Sequence, residues 1–522
     1  MRKVRIYDTT LRDGSQGEGI SYSVNDKILI AKELDSLGVH FIEGGWPGSN
    51  PKDMEFFIRM GKIQLKNSKL AAFSMTRRLH IKAKDDPNIK ALIKSGADII
   101  TIVGKTWNLH VTDVLKTTLD ENLSMIKDTV SFIVSQGLTV FYDAEHFFDA
   151  YKANKEYALK TLKTAQDAGA KEICLCDTNG GTLPDDIYTI VSEIKNTVSI
   201  GLGIHCHNDS GVAVAGSLAA VLAGADMVQG TINGIGERCG NADLIPIIAN
   251  LQLKKGIECI KPEKLKELTH VSHYVSEISN LKHRSDQPYV GQSSFAHKGG
   301  MHINAITKNP KTYEHIDPVQ VGNNRRILVS ELAGKSGVLI RARDFHLDLN
   351  KDTLETKKIL KLIQKLEHQG YHFEAAEASF EILMKRALKK LKSSFELEGF
   401  RVVIERGSNK KLTSEAIIKI KVKGKKEHTV AMGDGPVNAL DNALRKALKS
   451  FYPNLSKMHL SDFKVRVLDE KSGTAAKVRV LIQSQDEKET WNTIGVSENI
   501  IEASWQALAD SVEYKLLKDN IK

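Results

Sequence analysis

A chain of 522 residues is longer than one hydrophobic core usually serves, so two or more domains are expected. Its 41% hydrophobic and 26% charged residues are those of an ordinary globular protein, which excludes disordered and collagenous classes. The net charge of +10 is scattered among mixed acids and lysines, and no apolar run is long enough to span a bilayer, so neither nucleic acid nor membrane is the expected partner and a small anionic substrate fits equally well.

In chain order, eight short apolar runs alternate with helical stretches. They are "KVRIYDT", "HFIEGG", "KLAAFSM", "DIITIVG", "LTVFYDAE", "EICLCDT", "GLGIHCHND" and "DMVQGTING". Several follow a small-residue signal such as "SLG", "KSG", "SQG" or "DAG", where Gly supplies a left-handed helix cap. Runs apolar at every position read as strands buried on both faces, as in a parallel sheet. Eight such units predict a (β/α)8 TIM barrel over residues 1–280. Residues 281–397 read as linker subdomains, with a loop-rich segment around 280–310 as linker or lid and a basic helical stretch after 352. The stretch "MKRALKKLKSS" reads as a solvated helix face, with CoA phosphates as the lesser alternative. Residues 398–522 contain two similar stretches, from Glu415 and from Ala475, which align without a gap so that Gly435 meets Gly495. Each predicts a βββα unit, and the pair predicts a pseudo-symmetric α+β regulatory and dimerisation domain. Five cysteines, with no disulfide-like spacing, point to a reduced cytoplasmic protein, and the basic N-terminus has no apolar signal core.

Active-site residues of such a barrel lie at the C-terminal strand ends. Those positions hold Asp8, Asp13, Glu43, Asp143, Glu145, Asp177, Thr178, His205, His207 and Asn233, with almost no lysine. His205 and His207 alternate on a strand, so both rings share a face and Cys206 points away. Two imidazoles on one face make a metal pair; the alternative is two surface histidines on a loop. Asp13 ends the first strand, one strand removed from the seventh in a closed barrel, and serves either as third ligand or as a turn residue before Gly14. Asn241 in "GERCGNADL" offers a carbonyl oxygen. A mixed nitrogen and oxygen set suits Mn²⁺, Mg²⁺ or Zn²⁺. Arg12 cannot act as a base but can stabilise an oxyanion, which suits a 2-oxo acid substrate. Asp143 and Glu145 alternate toward the mouth as substrate-binding and acid-base groups, and Thr178 either binds a carboxylate or caps a helix. In the C-terminal domain, "GDGPVNAL" and "GVSENII" set Gly turns at helix entries. There Gly433, Gly435 and Gly495 leave room for a feedback ligand's carboxylate.

"DTTLRDGSQGEG", "GIHCHND", "GERCGNADL" and "FAHKGGMH" resemble the motifs of the family that contains 2-isopropylmalate, homocitrate and citramalate synthases and 3-hydroxy-3-methylglutaryl-CoA lyase. "EGGWPGSNPKD" and "FYDAEHFFDAYKANKEYAL" are similar to its citramalate branch, and "MGDGPVNALDNAL" to its regulatory domain. The resemblance implies a Claisen-type acyltransferase that condenses acetyl-CoA with pyruvate in isoleucine biosynthesis, as a homodimer with amino-acid feedback. Isopropylmalate and homocitrate synthesis are the alternatives within the family, and a non-catalytic amino-acid sensor is the alternative outside it. It also implies that Asp13, His205 and His207 hold the metal, with Asn241 as a weaker ligand. Arg12 then steadies the keto oxygen, Glu145 belongs to the catalytic machinery and Thr178 meets the keto-acid carboxylate. His302, rather than His297, is tied to acetyl-CoA deprotonation. Three departures leave the proton-abstracting base open: Asp143 stands where relatives carry Ser or Tyr, His146 where many carry Asp, and "GGMHIN" lacks an acid after the histidine.

Overall fold

The computed structural model describes residues 2–328, 342, 353–406, 412–468 and 476–519. They divide into two compact units, Met1–Phe295 with His315–Arg325, and Ala296–Glu314 with Arg326–Lys522.

In the first unit eight parallel strands close into a barrel in sequence order. They are β1 (Arg5–Asp8), β2 (Phe41–Gly45), β3 (Lys69–Met75), β4 (Ile99–Lys105), β5 (Thr139–Glu145), β6 (Glu172–Asp177), β7 (Gly201–Cys206) and β8 (Met227–Gly230). Helices between them start at sequence signals. Ser23 and Asp26 form a capping box at the first, and Pro51, Pro87 and Pro184 open three others. Side chains facing the helices, among them Ile6, Ile42, Ile102, Leu175 and Ile204, form one continuous core. Burying each such side chain contributes roughly 1.5–3 kcal/mol. The lumen is filled by Tyr7, Phe41, Ala71, Ile99, Phe141, Cys174, Cys176 and Met227, with Phe41 and Phe141 edge to face at 5.1 Å. This plug makes the barrel a floor beneath a pocket rather than a channel, so chemistry is confined to the strand ends above it.

The second unit opens with β9 (Ala296–His297), paired parallel to β10 (Arg326–Ile327), and with a helix, Gly300–Lys308. The helix falls inside the segment expected to be loop-rich; its buried Ile303 and Ile306 lie three apart, a period too brief to stand out among the surrounding polar residues. Helices Leu354–His368 and Glu377–Ala387 follow. Two antiparallel three-stranded sheets come next, β11 (Glu396–Arg406), β12 (Leu412–Val422) and β13 (Lys425–Gly433), then β14 (His459–Val467), β15 (Val478–Gln485) and β16 (Thr490–Ser497). Each is followed by a helix, Pro436–Leu448 and Ile500–Asp519. Alternation buries Ala416, Ile418, Ile420 and Val422 of β12 with the helix face of Ala439, Leu440, Ala443 and Leu444.

The two copies match, but not in the register expected from sequence. Thr429 donates its hydroxyl to the Ala443 carbonyl, and Thr493 does the same to Ala507, so equivalent residues are sixty-four apart, not sixty. Ser414 opposes Gly433 and Val478 opposes Ser497 at the same offset. Gly435 therefore matches Asn499, and its pairing with Gly495 is corrected. An error of four residues preserves both the strand period of 2 and one helical turn, so apolar patterning could not reveal it. The first residue of the second copy, Ala475, lies outside the described residues. No helix among the described residues is long and apolar enough to cross a membrane.

Candidate active site

The strand ends of the first unit surround a cavity of about 270 Å³ lined by Arg12, Asp13, Asp143, Glu145, Thr178, His205 and His207, with an apolar wall of Trp46, Phe73, Met75 and Val103. Ligand-type atoms of Asp13, His205 and His207 all lie within 4.8 Å of one another. The His205 Nε2 and His207 Nε2 are 3.4 and 3.8 Å from Asp13 Oδ2. Cys206, between them, is buried on the helix side.

Electrostatics prepare this trio. Burial alone would raise the Asp13 carboxyl, but Arg12, then His205 and His207, hold it well below the carboxylate range. Burial and the neighbouring His205 push His207 down to about 3, so its ring is neutral. Burial works against the His205 cation, but the hydrogen bond and charge of Asp13 raise it. An anionic carboxylate beside imidazoles is a cation-binding set. Asn241 adds to it. Its backbone bridges to His207, and its Oδ1 is buried with no hydrogen-bond partner among the described residues, an acceptor left for a ligand. The donor set and this orphaned oxygen fit a divalent metal. A second trio, Asp143, Cys174 and Cys176, also converges, but it suits a cation poorly: burial pushes the Cys174 thiol far up and raises Asp143 to about 7, so the set offers less negative charge than the first.

Arg12 is held on three sides. Its Nε donates to Glu43 Oε2 at 2.5 Å, its Nη1 lies 3.5 Å from Asp13, and its guanidinium sits 4.0 Å over the Phe73 ring. Glu43 in turn accepts from the Tyr7 hydroxyl of the lumen plug at 2.8 Å, which ties the site to the core. Thr178 Oγ1 accepts the His146 N–H at 2.9 Å, and His146 has φ 54. That left-handed backbone aims the amide at Thr178, which lines the cavity.

Three residues were not found from sequence. Gln229 of β8 accepts from His205 Nδ1 at 3.1 Å and donates to Asp143 Oδ1 at 2.9 Å; a lone Gln inside the apolar run "MVQG" was its signal. Lys105 ends β4, lines the cavity and pairs with Glu145, the one lysine among the described lining residues. Glu43 was noted as a strand end but not as the partner of Arg12. Asn233, expected at the mouth, turns away: its amide donates to Ser272 and Ser276 on the helix Leu268–Ile278. His302 belongs to the second unit, where it is exposed and stacks on Tyr313 at 4.1 Å. His297 lies 3.1 Å from Glu314. The regulatory glycines differ among themselves. A Cβ at Gly433 would overlap Ala439 and one at Gly495 the Ala503 carbonyl, so these two serve close strand–helix packing, whereas nothing lies near Gly435.

Comparison with known proteins follows this division. A family model described as HMGL-like matches residues 3–275. A homocitrate synthase post-HMGL domain-like model matches 289–371, and a LeuA allosteric (dimerisation) domain matches 374–516. The chain is 55% identical over 519 residues to the (R)-citramalate synthase of Aquifex aeolicus, covering 99% of this chain and 98% of that one. The (R)-citramalate synthase of Geobacter sulfurreducens is 54% identical over 519 residues, with the same coverage. A 2-isopropylmalate synthase from Methanocaldococcus jannaschii is 32% identical over 522 residues, covering 99% of this chain and 95% of that one.

Proposed function

The chain belongs to the HMGL-like family and, within it, to the (R)-citramalate synthases, and from that premise we propose that its barrel mouth joins the methyl carbon of acetyl-CoA to the keto carbon of pyruvate. The observation that carries this reading is the convergence of the Asp13, His205 and His207 trio with Arg12 and Thr178 on one small cavity. A divalent cation held by the trio, with Asn241 Oδ1 nearby, would polarise a 2-oxo acid. Thr178 donates its hydroxyl proton to the acid's carboxylate. The acetyl methyl loses a proton, the new C–C bond forms at the keto carbon, and the oxygen becomes an alkoxide facing Arg12. Glu145 is the acid-base group of the mouth and Asp143 completes the substrate contacts; His302 is assigned to acetyl-CoA deprotonation from the motif resemblance alone. Water then cleaves the thioester, giving (R)-citramalate and CoA. The bulky apolar wall with its Trp46–Phe73 edge-to-face pair, 5.8 Å apart, favours the small methyl of pyruvate over larger keto acids. Free cysteines throughout support a cytoplasmic setting. The test is CoA release from acetyl-CoA with pyruvate, 2-oxoisovalerate and 2-oxoglutarate in parallel. Pyruvate is expected to have the highest kcat/KM; a higher value for 2-oxoisovalerate would move the chain to isopropylmalate synthesis.

The C-terminal unit has a second role in this reading: homodimerisation and feedback by isoleucine, the end product of the pathway. The LeuA allosteric model, the exposed Ile404, Leu412, Met432 and Val467, and a cavity of about 810 Å³ beside the helix Pro436–Leu448 support it. Isoleucine titration of the full chain tests it, and indifference to millimolar isoleucine, leucine and valine would leave assembly alone.

A further inference from the structure

We propose that Lys105 is the positioning residue for Glu145, holding that carboxylate turned into the cavity; the inference rests on the synthase reading above. Lys105 and Glu145 end adjacent strands and face one another directly in the β4–β5 register. The Lys105 Nζ meets Glu145 Oε2, and both side chains are largely buried, 14% and 22% exposed. Among the described residues no hydrogen-bond donor aligns with that buried oxygen, so the ammonium is its countercharge rather than one donor among several. Removing that countercharge would leave a largely buried carboxylate oxygen without the contact that fixes its direction.

The backbone under the pair is pinned. Asn122 Nδ2 donates to the Lys105 carbonyl at 2.7 Å and to the Tyr157 hydroxyl at 2.8 Å. Of the other two cations lining the cavity, Arg12 is committed to Glu43 and Asp13, and Arg238 to Asp209 at 2.9 and 3.0 Å. Lys105 is thus the cation placed to serve Glu145. An ammonium has three N–H bonds, so one contact to Glu145 fixes its direction without bidentate rigidity.

A four-member cycle tests this: Lys105→Met, Glu145→Gln, the double variant and wild type, with Lys105→Arg as the conservative variant. Each is assayed for kcat and KM, and its bound metal is measured as a check that the barrel mouth is intact. Lys105→Met is expected to lower kcat by about 10²-fold, the cost of a misplaced catalytic group, with bound metal and the KM for the keto acid near wild type. Lys105→Arg should recover most of that loss. In the Glu145→Gln background, Lys105→Met should change kcat little, because its effect runs through the missing carboxylate. Losses that multiply in the double variant, or an arginine variant no better than methionine, would overturn the inference. Wild-type turnover with a 2-oxo acid other than pyruvate would overturn the substrate assignment instead, and the cycle is then read on that acid.

Discussion

Gln229→Leu is the perturbation that separates a metal site from two incidental histidines. Gln229 stands opposite His205 in the β7–β8 register and is fully buried. Its Nε2 donates to Asp143, which fixes Oε1 as the acceptor for His205 Nδ1–H and so turns His205 Nε2 toward Asp13. Leucine has a similar volume but neither function. Two buried hydrogen bonds disappear at ~1 kcal/mol each, and the His205 N–H is left unsatisfied at ~1–3 kcal/mol, so metal-free stability should fall by roughly 3–5 kcal/mol. Partners of this kind, behind the ligands, typically set metal affinity by about 10–100-fold. Calorimetric titration of Mn²⁺ into metal-stripped protein should therefore show a Kd weaker by that factor, with the lost stability visible in the thermal midpoint. Gln229→Glu keeps the acceptor for His205 and should bind the metal more nearly as wild type does. A leucine variant that binds Mn²⁺ like wild type would refute the reasoning.

Three further outcomes are expected. Gly495→Ala forces a Cβ into the Ala503 carbonyl and should lower the thermal midpoint by an amount equivalent to ~1–3 kcal/mol, whereas Gly435→Ala, in extended backbone with open space around it, should cost under about 1 kcal/mol; equal effects would contradict the sixty-four-residue register. Trp46→Ala opens the apolar wall and should shift kcat/KM toward 2-oxoisovalerate by ~1–3 kcal/mol, read from paired kinetics on the two acids. Burial, ahead of the lowering Thr10 hydrogen bonds, raises Asp8 to about 7 from an ordinary value near 3.8. Between those values the folded chain keeps a proton that the unfolded chain has lost, so stability falls as pH rises through that window and levels off above it. The thermal midpoint of Asp8→Asn should vary less with pH over the same range; an unchanged slope would sink that account.

The barrel was legible because every strand announces itself by an apolar run, and several also by the small-residue signal before it. Burial on both faces makes such a run continuous in apolar residues, which marks the strand but not its register. His205, His207 and Asp13 were legible because alternation fixes a face and barrel closure fixes which strands are neighbours. Gln229 and Lys105 were not. Each acts across a strand pair on a partner more than twenty residues away in sequence, and only the register shows which side chain opposes which. His146 carried no sequence signal for its left-handed backbone, since that conformation is imposed by the strand-to-helix turn. The repeat in the C-terminal unit was seen and its offset misread, because a four-residue slip satisfies both periodicities at once.

Carbon–carbon bond formation is the central claim, and acetyl-CoA labelled with ¹³C at the methyl carbon tests it most directly. Incubated with the protein, pyruvate and Mn²⁺, the label should appear by NMR in the methylene carbon of citramalate, with one CoA released per product formed. The R enantiomer is expected on chiral separation. Label recovered as free acetate, with CoA released but no new C–C bond, would contradict the account.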